Sequence, residues 1–116
     1  MHVKVWLDDK CDIIGSERET PAGWVGVKTA QEAITLLDSG KVTEISLDHD
    51  LSLKKKDNGY EVLLHIEQKV ISDRNCRPPI IHIHTDNPSA RIKMKLAVES
   101  IRRLAAMNVA SKEGLP

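Results

Sequence analysis

The sequence predicts an α/β domain in three layers, with an open parallel sheet of about four strands and helices on both faces. Two observations lead to this prediction. Short β-type runs alternate with amphipathic helical runs, in the order strand, loop, strand, helix, strand, helix, strand, helix. Acidic and imidazole side chains also follow three of the strands, where open parallel sheets bind their ligands. Right-handed crossovers then leave few possible topologies.

The amino-terminal part of the chain predicts two strands joined by a long loop. Residues 3–7 alternate in character and end at an acidic pair, and residues 24–28 form the second strand. Residues 10–23 between them have no helical periodicity and are interrupted by Gly15 and Pro21. Because long loops in compact domains are often functional, this loop is expected to contribute to a site.

The first helix is predicted from its capping residues. Thr29 is a candidate N-cap with Glu32 at the third helical position, and Gly40 is suited to the position after the helix. Its inward residues are expected to be Ala33, Ile34 and Leu37. A strand over residues 43–48 follows. Residues 54–59, which begin with three lysines, are predicted to form a polar turn.

The second half of the chain predicts two more helices around a strand. One helix runs from about Tyr60 to Ser72, and the strand starts at Ile80 and ends near His84. The last helix starts at Asn87–Pro88 and is expected to end near Met107. The predicted apolar faces of these helices comprise Val62, Leu63, Ile66 and Val70, and then Met94, Ala97, Val98, Ile101, Leu104 and Ala105.

Composition limits the class of protein. The 116 residues predict a single domain over residues 1–108 and a tail over residues 109–116. The 17 basic and 17 acidic residues cancel, and aromatic residues are 3% of the chain, which argues against extended nucleic-acid binding. No apolar run is long enough to span a membrane, and the two isolated cysteines are typical of a cytoplasmic protein.

Four carboxylates follow two of the strands and predict a metal site. Asp8 and Asp9 come after the first strand, and Asp48 and Asp50 after the third. Oxygen ligands of this kind suit Mg²⁺ or Mn²⁺, which also bind waters and phosphate oxygens. The alternative is that some of these side chains only cap loops and face water.

Histidines accompany the carboxylates. His49 and His84 are candidate catalytic groups, because an imidazole at a strand end can act as acid or base on a phosphoester. His82 lies in mid-strand, where a histidine hydrogen-bonded within the fold is the favoured interpretation. Thr85 and Asn87 open the last helix and could bind phosphate at its free N–H groups, although Asn87 could equally serve as an ordinary cap.

The motifs together resemble the cyclic-phosphate processing receiver domains, a divergent group related to two-component receiver domains. The similar segments are Leu7-Asp8-Asp9, Pro21-Ala22-Gly23-Trp24, Ser46-Leu47-Asp48-His49-Asp50-Leu51, Gly59-Tyr60 and His84-Thr85-Asp86-Asn87-Pro88, with Arg91 and Met94 beyond. The resemblance covers most of residues 3–95 and implies a receiver/flavodoxin-like topology. Lys10–Cys11 stands where such domains carry an arginine after the acidic pair.

The resemblance implies chemistry on cyclic phosphates. It places Asp8, Asp9, Asp48 and Asp50 around a metal, with His49 and His84 near the phosphate and Arg91 among the phosphate-binding residues. The leading hypothesis is therefore a Mg²⁺- or Mn²⁺-dependent phosphoesterase that acts on a small nucleotide or an RNA end. The alternative is a non-catalytic receiver-like module that binds a nucleotide, a metal or a protein partner, and a homodimer is possible. A phosphoacceptor role for Asp48 is a third, weaker hypothesis.

Overall fold

The computed structural model describes residues 2–48 and 58–112, with the backbone alone at 111 and 112. The described residues form four strands and three helices. They are β1 (Val3–Leu7), β2 (Val25–Val27), α1 (Ala30–Asp38), β3 (Val42–Leu47), α2 (Gly59–Ser72), β4 (Ile80–Ile83) and α3 (Pro88–Lys112).

The four strands form one parallel sheet in the order β2-β1-β3-β4. The two central strands, β1 and β3, pair in register from Lys4 with Glu44 to Leu7 with Leu47. All carboxyl ends of the strands therefore meet at one edge of the sheet. The predicted receiver-like α/β fold with a four-stranded open parallel sheet is confirmed.

The core lies on one face of this sheet. Every second strand residue points to this face and packs against the buried residues of all three helices. Together they form a single cluster, which includes Val5, Leu7, Ile45, Leu47, Ile81, Ala33, Leu63, Val70, Met94 and Ile101. The apolar faces predicted for α2 and α3 are confirmed, because all of their members are in this cluster or pack against it.

The placement of the helices corrects one detail of the prediction. Helices were expected on both faces of the sheet, but α1, α2 and α3 all pack on the same face. The reason is the direction of the connections: β2 to β3 and β3 to β4 progress the same way across the sheet, so right-handed crossovers put α1 and α2 on one side. The β1–β2 connection runs the other way, and within it residues 8–24 form turns instead of a helix.

Helix boundaries follow the capping residues with one exception. The Thr29 hydroxyl accepts the Glu32 N–H at 3.1 Å, and Gly40 has a φ of 77° just after the Ser39 cap, as predicted for α1. Helix α3, in contrast, continues past the predicted end near Met107 to Lys112. The added turn has a tertiary anchor, since the Asn108 side-chain amide donates to the Val70 carbonyl at 2.9 Å.

No helix in the described part of the chain is long and apolar enough to cross a membrane.

Candidate functional site at the carboxyl ends of β1 and β3

The acidic residues that follow β1 and β3 are brought side by side by the sheet itself. Backbone hydrogen bonds continue past the strand ends: the Asp8 N–H donates to Val27 O and the Asp48 N–H donates to Leu7 O, both at 3.0 Å. Asp8 and Asp48 are thus fixed next to each other at the carboxyl edge of the sheet, which is where this class of fold binds ligands.

Three carboxylates form a cluster at this edge. One oxygen each from Asp8, Asp9 and Asp48 lies within 4.8 Å of the others. Asp8 is fully buried, Asp48 is 4% exposed, and Asp9 faces solvent in part. The sequence analysis predicted these three residues as one site, and the structure brings them together; its fourth member, Asp50, lies outside the described residues, as does the catalytic candidate His49.

Arg18, from the loop between β1 and β2, lies at the centre of the cluster. Its Nη2 contacts Asp8 Oδ1 at 2.8 Å and Asp9 Oδ1 at 2.9 Å, and it also bonds Asp48 Oδ2. The Asp8 hydrogen bond is the main reason that the pKa of Arg18 is raised above its usual range. One guanidinium therefore links all three carboxylates and supplies the positive charge that their burial requires.

Asp8 is the most heavily bonded member of the cluster. Its Oδ1 accepts the Lys10 backbone N–H at 2.9 Å besides Arg18 Nη2, and its Oδ2 accepts Arg18 Nε at 2.9 Å. His84 Nε2 makes a fourth contact, at 3.2 Å from Oδ2. A fully buried carboxylate with four donors is held in one orientation.

Arg18 and Trp6 are site residues that the sequence analysis missed. The indole N–H of Trp6 donates to the Arg18 carbonyl at 3.0 Å and so ties the loop to the sheet. The usable indication was that Lys10–Cys11 does not supply the arginine expected after the acidic pair. Arg18 is the first arginine after that pair, three positions before Pro21.

His84, the residue that follows β4, contacts the cluster. Its Nδ1 lies 2.8 Å from the Ser46 hydroxyl, and its ring stacks on Trp6 with centroids 3.9 Å apart. Because the Asp8 carboxylate can only accept, the tautomer that fits both contacts has its proton on Nε2 and accepts the Ser46 O–H at Nδ1. Burial lowers the pKa of His84, and the nearby Asp8 only partly opposes this, so the neutral ring is favoured near pH 7.

The lowered pKa of His84 predicts a pH dependence of stability. A histidine whose pKa is lower in the folded state contributes stability above its unfolded pKa, which is lost as the pH falls through the folded value. We expect wild-type protein to lose more free energy of unfolding between about pH 7.5 and 5.5 than His84→Gln. Urea unfolding at the two pH values measures this; an equal loss in both proteins would contradict it.

Gly59, the first residue of α2, sets the distance between this helix and the site. A Cβ at this position would overlap the Asp48 carbonyl oxygen and lie 2.9 Å from Met94 Cε. Only glycine lets the helix start against the Asp48 backbone. Asp48 is thereby held between the Leu7 carbonyl on one side and the start of α2 on the other.

Gly59→Ala is therefore expected to destabilise the fold by about 2–3 kcal/mol, because the backbone must move. Gly40→Ala is the matched control: it has open space around its Cβ and carries only the strain of a positive φ, about 1 kcal/mol. Chemical denaturation of both variants measures the difference. If Gly59→Ala were as stable as Gly40→Ala, the start of α2 would not be in tight contact with the Asp48 backbone.

The residues predicted to bind phosphate build the turn before α3. The Thr85 hydroxyl accepts the Asn87 N–H at 3.2 Å, and Asn87 Oδ1 caps the helix by accepting the Ala90 N–H at 3.1 Å. Arg91 donates to the Thr85 carbonyl. These contacts correspond to ordinary capping, and the phosphate-binding role of Thr85, Asn87 and Arg91 stays a prediction.

The cluster fits a hard divalent cation in its chemistry. Three carboxylates with oxygens this close are the ligands that Mg²⁺ and Mn²⁺ prefer. Asp8, Asp9 and Asp48 would hold the ion. Since Arg18 already contacts each of these carboxylates, cation and guanidinium would compete for the same oxygens.

The fold and the site together define a receiver-like α/β domain with an acidic cluster at the carboxyl edge of its sheet. Residues 3–100 match the family described as the cyclic-phosphate processing receiver domain. The chain belongs to this family, as the motifs of the sequence suggested. No curated protein and no solved structure gives a significant match to the chain.

Proposed function

We propose that this domain is a divalent-cation-dependent phosphoesterase that opens a cyclic phosphate on a nucleotide or an RNA end. The observation that supports the proposal is the group of three carboxylates with Arg18 among them, at the ligand-binding edge of a domain of this family. Cation-binding oxygens and a guanidinium suited to phosphate at one place can polarise a phosphodiester and activate water for its hydrolysis.

Arg18 is the residue that would bind the phosphate. A guanidinium has five donors in a planar fork and can bind two phosphate oxygens at once. Its side chain is 30% exposed in the cluster, so a phosphate can approach it from solvent. On binding, Arg18 would exchange carboxylate oxygens for phosphate oxygens and leave Asp8, Asp9 and Asp48 to the cation.

The reaction breaks one phosphorus–oxygen bond. A water oxygen forms a bond to phosphorus, the bond to one ribose oxygen breaks, and the water proton finishes on that oxygen to give a phosphomonoester. A bound Mg²⁺ or Mn²⁺ would supply Lewis-acid polarisation of the phosphate and a more acidic water. The mobile proton is assigned to His49 or His84.

The contacts of His84 define how it could take part. Both ring nitrogens are engaged, one with Asp8 and one with Ser46, and the side chain is 17% exposed. In this arrangement His84 orients the Asp8 carboxylate, and its Nδ1 would have to give up the Ser46 hydrogen bond in order to accept a proton. His49, which follows Asp48 in the chain, is the alternative proton carrier.

The proposal is tested by a ³¹P NMR time course on a 2′,3′-cyclic nucleotide and on an RNA oligonucleotide ending in a cyclic phosphate. We expect the cyclic signal to disappear with Mg²⁺ or Mn²⁺ and to persist in EDTA, with a phosphomonoester as product. The product's shift identifies which ester bond was broken. Equal loss with and without cation, or an unchanged spectrum for both substrates, would contradict the proposal.

The bonding of Arg18 to all three carboxylates favours a second candidate function, a binding module without turnover. With Arg18 bonded to all three carboxylates, the cluster could act as a closed network that opens only when a ligand takes one partner away. This candidate predicts that a nucleotide or a cation binds and alters resonances of the cluster while the ³¹P spectrum stays constant. A homodimer and a cytoplasmic location stay predictions in both cases.

A further inference from the structure

Strand β4 has an open edge. Among the described strands it pairs with β3 alone, at one end of the sheet. The His84 N–H donates to Leu47 O at 3.0 Å, so the backbone groups of His84 and His82 face β3. Because backbone groups alternate sides along a strand, the N–H and C=O of Ile81 and Ile83 face the open edge. This edge can accept a further strand.

A groove runs along this edge, between β4 and α3. It has a volume of about 280 Å³ and is lined by Ile81, Ile83, Val98, Lys95, Glu99 and Arg102. The aliphatic residues are buried or half-buried and form its floor, whereas the charged residues are exposed on its α3 side. Such a groove can take apolar side chains from every second residue of an extended peptide.

The charge of α3 indicates which peptide would fit. This helix carries six basic residues and one acidic residue, Glu99. Lys95 and Arg102 are seven positions apart, close to two helical turns, and therefore lie on the same side of the helix. Within the described part of the chain neither of them forms an ion pair. A second copy of the domain would bring equally basic helices together, so an acidic segment is the complementary occupant.

We propose that the β4 edge and its groove bind an extended acidic segment of a partner protein, which adds to the sheet as a fifth strand. Its backbone would bond Ile81 and Ile83, its alternate apolar side chains would fill the groove, and its carboxylates would face Lys95 and Arg102. The groove shares no residue with the carboxylate cluster, so this surface is separate from the candidate site.

The test uses a random octapeptide display library, selected on the wild-type protein and on the double variant Lys95→Glu/Arg102→Glu. Both substituted residues are exposed, so the variant is expected to fold. The matched control, Lys41→Glu/Arg77→Glu, reverses one exposed lysine and one exposed arginine that lie away from the groove. Enriched peptides are synthesised and titrated into ¹⁵N-labelled protein.

The expected peptides alternate apolar residues with Asp or Glu. They bind the Lys95→Glu/Arg102→Glu variant at least about tenfold more weakly than the wild type and the control. They slow amide exchange at Ile81 and Ile83, and N-methylation of the residues that face this edge weakens binding by about tenfold. No enrichment, equal binding to both proteins, or shifts confined to other surfaces would overturn the proposal. Concentration-dependent dimerisation through β4 would overturn it as well, because the occupant would then be a second copy.

Discussion

Asp48→Asn is expected to lower cation-dependent opening of a cyclic nucleotide by at least about a hundredfold while the fold survives. Asp48 is 4% exposed, bonds Arg18 through Oδ2, and is one of the three carboxylates that would hold the cation. An asparagine keeps the shape of the side chain but removes one negative charge and turns one oxygen into an N–H donor. Turnover is measured by the ³¹P time course and folding by thermal denaturation.

The control for this prediction is Asp38→Asn. Asp38 is also bonded to basic side chains, with His65 Nε2 at 2.8 Å and Lys69 Nζ at 3.4 Å, but it lies at the end of α1, near the amino ends of the strands. We expect Asp38→Asn to keep wild-type turnover. Equal activity of Asp48→Asn and Asp38→Asn would show that the carboxylate cluster takes no part in the reaction.

Arg18→Ala is expected to destabilise the cation-free protein by about 2 kcal/mol and to make its stability strongly dependent on Mg²⁺. Without the guanidinium, the buried carboxylates of Asp8 and Asp48 lose the charge that compensates them. Removing one partner of a fully buried ion pair costs about 3–5 kcal/mol, and the partial exposure of Arg18 reduces that figure. The indole of Trp6 bonds the backbone at residue 18 and is not lost by this change.

A divalent cation would then replace the missing charge. At a Mg²⁺ concentration about one hundred times the dissociation constant, binding adds about 2.7 kcal/mol to the free energy of unfolding. Denaturation of Arg18→Ala with and without Mg²⁺ measures the gain, and Arg103→Ala, at an exposed position of α3, is the control. An Arg18→Ala protein that is as stable as the control without cation, and indifferent to Mg²⁺, would contradict the account of the cluster.

Much of the fold could be predicted because it depends on local patterns. The apolar faces of α2 and α3 follow from residue spacing, and the caps of α1 at Thr29 and Gly40 follow from residue type. The meeting of Asp8 with Asp48 was also predictable, because parallel strands bring their carboxyl ends to one edge.

The remaining features depend on contacts between residues far apart in the chain. The order of the strands in the sheet decides the face on which each helix packs. The hydrophobic periodicity of the sequence gives no information about strand order, and the prediction of helices on both faces was therefore wrong. Arg18 was missed because its loop has no periodicity and its partner Asp48 is 30 positions away. The Ser46–His84 contact spans 38 positions, as does the Asn108–Val70 bond that anchors the last turn of α3.

The most direct test of the account is a titration of ¹⁵N-labelled protein with Mn²⁺, followed by paramagnetic broadening of assigned amide resonances. The account predicts that broadening is strongest at Asp8, Asp9 and Asp48, that the Arg18 Nε–H resonance shifts, and that Asp48→Asn weakens both effects. Broadening centred on other carboxylates, such as Asp38 and Asp73, or an unchanged pattern in Asp48→Asn, would show that the cluster does not bind the cation.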